Sequence, residues 1–242
     1  MRHPLAESFV LDDLAFELRR SSRRKTISIT LERDGALILT VPPDCPPEQI
    51  ARVVGAQRRW IYTKLARQEL LHHPSGPKEY VSGEGFAYLG RTYRLLLVDP
   101  PSGDAADTPA LRLHQGRFHL RRDERHHAAK HFVTWYVAHG TPWLRRRVDL
   151  LAERIGVSSP PITVRDLGYR WGSCSRSGTL QFHWRTLQLP PRIIEYVVTH
   201  EMIHLLEPHH GQDFWRRLQR VLPDFAGRKQ WLAERGASLG GP

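Results

Sequence analysis

The stretch "LPPRIIEYVVTHEMIHLLE", residues 189 to 207, does most to limit what this chain can become. Ile193, Ile194, Val197, Val198, Ile203 and Leu206 recur at the helical period behind a proline-rich start, so the stretch predicts a buried helix. Set into that apolar stripe are His200, Glu201 and His204. Two imidazoles and a carboxylate are unfavourable among aliphatic side chains unless something satisfies them, and a metal ion suits this set.

Histidines four apart on a helix, at about 100° per residue, project from nearly the same side one turn apart. His200 and His204 are therefore predicted to hold one Zn2+ ion. Glu201 lies off that axis, where a carboxylate reaches a water on the metal and takes its proton as general base. A catalytic zinc needs a third protein ligand and an open position. In "PHHGQDFW", 208 to 215, Pro208 should end the helix and Gly211 permits a reversal, so either His209 or His210 can swing back. Spacing does not choose between them. Glu207 is a further carboxylate nearby, and Phe214, Trp215, Leu218 and Leu222 recur at the helical spacing of core residues.

Cys45 and Cys174 are the whole cysteine complement, which excludes a disulfide framework and a cysteine-based zinc site and fits a reducing compartment. No apolar run approaches the roughly 20 residues that cross a bilayer, and the opening lacks a signal-peptide pattern, so a cytoplasmic location without membrane contact is expected. With 36 Lys+Arg against 25 Asp+Glu the formal charge is +11, enough to attract DNA or another polyanion. Arg23, Arg24 and Lys25 in "RRSSRRK" are candidate contacts. There is no Gly-rich phosphate loop and no acidic cluster suited to Mg2+, which weighs against phosphoanhydride chemistry. The oligomeric state is not legible.

The pattern is α+β. Residues 26 to 41 alternate around Asp34-Gly35 as a hairpin, and a helix carrying Ile50, Val53, Val54, Ile61 and Leu65 follows. A loop is expected at 72 to 85, a strand at 86 to 98, a polar mobile segment at 99 to 109, and a hairpin at 111 to 120 around Gln115-Gly116. From 123 to 155 the period is helical, with Gly140 as a stop and Thr141-Pro142 as a restart, giving two helices or one bent one. Strands are expected at 162 to 168, 169 to 175 and 178 to 187. In the last, Leu180, Phe182 and Trp184 alternate with Gln181, His183 and Arg185, as on a half-exposed strand beside a site. This divides the chain into a β-rich N-terminal region with one long helix (1–122) and a metal-binding catalytic region (123–242).

The segment "RWGSCSRSGTLQFHWRTLQLPPRIIEYVVTHEMIHLLEPHHGQDFW", 170 to 215, resembles the signature of the YgjP-like metallopeptidase family. That family is similar to SprT-like zinc proteases and belongs to the gluzincin-like minimal zincins. "RRSSRRKTISITLERDGALILTVP" and "YLGRTYRL" resemble its leading strands. The resemblance implies a zincin-like core with a small antiparallel sheet and an HExxH helix, zinc on His200, His204 and His210 with His209 a neighbour, and Glu201 as base. It further implies a substrate lying along 178 to 187 as an edge strand. There His183 and Arg185 are candidates to steady a carbonyl or phosphoryl oxyanion, as are Tyr169 and Arg170. His183 stands where the family commonly has Asn. The implied activity is zinc-dependent hydrolysis of peptide bonds in a peptide or protein substrate. The alternatives are nucleotide pyrophosphohydrolysis and a basic nucleic-acid-associated protein with a structural zinc.

Overall fold

Two strands that the sequence pattern did not announce open the chain: β1 (Glu7–Leu11) and β2 (Leu14–Arg20). In this computed structural model, residues 7–31, 36–71, 78–100, 108–168, 170–236 and 239 are described. The expected pairing over 26 to 41 is present as β3 (Ser28–Leu31) antiparallel to β4 (Leu37–Val41), while Asp34-Gly35 lies outside the described residues. Sheet order is β1-β2-β4-β3, with β2 parallel to β4. Phe16, Leu39 and Val41 on its apolar face bury against Ile50, Val54 and Ile61 of α1 (Pro47–Leu71), and together they close a small core. Arg23, Arg24 and Lys25 are exposed.

A second sheet, in order β5-β6-β8-β7, follows. It comprises β5 (Gly85–Tyr88), β6 (Arg91–Val98), β7 (Leu111–His114) and β8 (Arg117–Arg121). The single strand expected at 86 to 98 is two, turned at Leu89 and Gly90, whose φ values are 47° and 75°. The hairpin at Gln115-Gly116 is as expected, both residues at positive φ. Of the expected mobile segment, 101–107 lie outside the described residues.

Phe86, Phe118 and Leu120 pack on α2 (Ala128–Ile155), with the Phe86 and Phe132 rings stacked at 4.0 Å. The chain forms two compact units, Met1–His73 and Pro74–Pro242, and this sheet and α2 belong to the second. Of the two alternatives for 123 to 155, the structure has one helix, with Pro142 inside it. Gly140 is buried, and a Cβ there would lie 2.6 to 3.1 Å from the Leu187 side chain, so the glycine admits a neighbour and does not stop the helix. Thr141 donates its hydroxyl to the Val137 carbonyl at 2.7 Å, within the helix. The actual stop is Gly156, in the left-handed conformation at φ 79°.

The third sheet, β10-β11-β9, contains β9 (Ile162–Arg165), β10 (Gly172–Cys174) and β11 (Leu180–His183). β11 pairs antiparallel with β10 and parallel with β9, so this small sheet is mixed. Three helices complete the chain: α3 (Pro191–Ile203), α4 (Gln212–Val221) and α5 (Phe225–Arg235). α3 packs against α2, α4, α5 and β10. Among the described residues no helix is long and apolar enough to cross a membrane.

Candidate metal centre and active site

α3 begins at Pro191 and buries Ile193, Ile194, Val197, Val198 and Ile203; His200, three residues after Val197 and seven after Ile193, shares that side of the helix and is itself partly buried. It ends sooner than the apolar stripe predicts: Ile203 is its last residue, His204 caps it, and Leu206 is exposed. The two imidazoles still meet, ring centroids 5.0 Å apart. After Pro208 the chain reverses and returns His210, whose Nε2 lies 3.0 Å from His200 Nε2. One nitrogen from each of His200, His204 and His210 falls within 4.8 Å of the others.

α4 holds this reversal in place. The buried Phe214 ring packs against His200, His204 and His210 at 4.9, 4.7 and 4.6 Å. Trp215 donates its indole N–H to the His210 carbonyl at 3.1 Å. His204 Nδ1 donates to the Glu207 carbonyl at 3.0 Å, which leaves Nε2 of that ring with its lone pair. The Glu207 carboxylate turns away to Arg217 at 2.9 Å and is not part of the cluster.

The electrostatics suit a cation. Burial, then the neighbouring His204 and His210, push His200 down to about 3, so its ring is neutral with a lone pair to give. Burial first, and His204 next, lower His210 as well. His200 Nδ1 is sealed with no hydrogen-bond partner among the described residues. Tetrahedral Zn–N bonds of about 2.0–2.1 Å set ligand nitrogens roughly 3.4 Å apart. A spacing of 3.0 Å for one pair and no more than 4.8 Å for any brackets that value. The residues present fit a zinc ion.

Glu201 is 8% exposed and lies against β10. Burial pushes it up to about 7, opposed by the Arg170 charge and a hydrogen bond from the Cys174 backbone N–H. Gly172 makes this approach feasible: a Cβ there would stand 2.7 Å from Glu201 Cγ. A cleft of about 720 Å3 opens over the triad and Glu201, lined on one side by Gly172, Ser173, Cys174 and Ser175. The Cys174 thiol, pushed up by burial and by Glu201, donates to the Ser175 carbonyl at 3.6 Å and is not in the triad. His209 lines the cleft without joining the triad.

The expected strand at 178 to 187 is shorter and points elsewhere. β11 ends at His183 and a 3-10 turn covers Trp184–Gln188. His183 is buried: its Nδ1 accepts from the Arg185 backbone N–H at 3.0 Å, and its Nε2 lies 3.2 Å from Asp166 Oδ1. Arg185 stacks on Trp184 at 5.1 Å. Neither lines the cleft, and the strand beside it is the sheet edge β10. Arg170 does line the cleft, next to Glu201. Tyr169 lies outside the described residues. The sequence reading missed Gly172, whose signal, a glycine inside a strand pattern, is that of a close approach.

The family model "YgjP-like, metallopeptidase domain" matches residues 25–235. The chain belongs to the YgjP-like family. Membership in this metallopeptidase family makes it a hydrolase and accounts for a histidine cluster able to hold a divalent metal. No curated protein matches the chain. Among solved structures, the chain is similar to the crystal structure of the metallopeptidase zymogen of Pyrococcus abyssi abylysin, at 22% identity and a TM-score of 0.34. That likeness covers 38% of this chain and 96% of the other.

Proposed function

We propose that this YgjP-like protein is a zinc-dependent peptidase in which His200, His204 and His210 hold the ion and Glu201 is the general base. One observation carries the reading: three imidazole nitrogens converge beside a buried carboxylate at the floor of an open cleft. When bound, zinc polarises the scissile carbonyl and makes water a stronger nucleophile at neutral pH. Glu201, held by the Cys174 N–H and by the space Gly172 leaves, takes a proton from the attacking water and returns it to the departing amine nitrogen. Arg170 beside it favours the ionised, proton-accepting form.

Metal analysis of dialysed protein tests the ligand set. His210→Ala is expected to lose the single zinc and His209→Ala to keep it; the reverse pattern would overturn the assignment. Two free cysteines support a reducing, cytoplasmic setting. Nucleotide pyrophosphohydrolysis is favoured by one feature, Arg170 and Arg176 on the cleft wall, but Glu201 is the only carboxylate among its lining residues. A structural zinc calls for a fourth protein ligand, and the cluster among the described residues has three. Contact with DNA through Arg23, Arg24 and Lys25 predicts salt-sensitive binding lost on charge reversal there.

A further inference from the structure

The space around His200 and Glu201 has two sides of opposite chemistry. On one, the main cleft carries Ser173, Ser175, Arg176 and His209. On the other, a recess of about 260 Å3 is walled by Trp171, Tyr196, Val197 and Leu232. Arg170, Gly172, His200 and Glu201 border both, so the reactive groups form the sill between them.

Three separate elements build the recess. Tyr196 and Val197 lie on α3 about one turn before His200, Leu232 comes from α5, and Trp171 immediately precedes β10. Trp171 fits closely because residue 236 is glycine: a Cβ there would lie 3.0 Å from Trp171 Cζ2. Val197 and Tyr196 are buried, whereas Trp171 and Leu232 are only partly covered and leave apolar surface open. Pockets that enclose whole ligands run to about 300–1,000 Å3, so this one suits a single side chain.

We propose that the recess selects a bulky apolar residue on one flank of the scissile bond, while Arg176, which lines the main cleft and not the recess, favours an acidic residue on the other flank. This rests on the peptidase reading and names its substrate class. Sheltering a leucine-sized or phenylalanine-sized side chain discriminates against a small or polar one by roughly tenfold to a hundredfold. The arginine side contributes less, since Arg176 is exposed.

Zinc-loaded protein is incubated with a peptide library and the cleaved bonds are read by mass spectrometry. The expected result is at least tenfold enrichment of Leu, Met or Phe at one flanking position, abolished in Leu232→Trp, with Arg176→Glu shifting the other flank from acidic to basic. Cleavage without apolar enrichment, or enrichment unchanged in Leu232→Trp, overturns the proposal and leaves the peptidase reading standing. In parallel, acetyl-leucinamide and acetyl-glutaminamide are titrated while the Trp171 indole resonance is followed. Only the leucine compound should shift it, and only with Leu232 in place. No shift overturns the recess as an apolar site. A silent library with that shift intact overturns the cleavage rule and the peptidase reading but retains the recess.

Discussion

His183 and His200 sit on neighbouring elements of the same unit and differ in what their nitrogens meet. The chain itself satisfies both nitrogens of His183, one through the Arg185 N–H and one through Asp166. His200 has one nitrogen sealed without a partner among the described residues and the other 3.0 Å from His210 Nε2, so two nitrogens of the same kind face each other. A histidine whose bonds are all internal is part of the scaffold; one whose lone pair converges with others is waiting for a cation. Sequence alone makes both histidines candidates for the site, and their partners in the structure separate them.

The comparison can be broken in four places. The largest effect is expected for Glu201→Gln, which should lower kcat by about 10²–10⁴ with zinc content unchanged. Full turnover in that variant would remove Glu201 from the chemistry. Next, Gly172→Ala drives a methyl group into Glu201 and should slow the reaction by about 10², again with zinc retained. Wild-type kinetics there would mean that the β10 contact does not position the base. Trp215→Phe removes the indole N–H from the His210 carbonyl and should weaken zinc about tenfold in a chelator competition. His183→Ala should leave zinc affinity alone and lower stability by about 1–3 kcal/mol in a urea melt, because Asp166 and the Arg185 N–H lose their partner. Zinc loss in that last variant would erase the distinction between the two histidines.

The histidine cluster was more legible than the fold because its proposed ligands lie close in sequence. His200 and His204 need only helical geometry, and the return of His210 needs a stop at Pro208 and a reversal. Spacing could not choose between His209 and His210, since the choice depends on how Phe214 and Trp215 dock. The misread elements are those decided by distant contacts. Gly140 looks like a helix stop until Leu187 is seen against it, and the run from 86 to 98 looks like one strand until Leu89 is seen bonding to the Leu187 carbonyl. The parallel pairing of β2 with β4 has no local signature at all. His183 was assigned to a polar strand face by alternation, but the strand ends there and the next residues wind into a 3-10 turn.

Because α3 stops at Ile203 with His204 as its cap, the C-terminal end of the helix lies beside the triad. The aligned peptide dipoles give that end roughly half a negative charge, worth about 0.3–1 kcal/mol to a nearby cation. A cation held at the proposed triad would thus be favoured by the helix backbone as well as by the imidazoles.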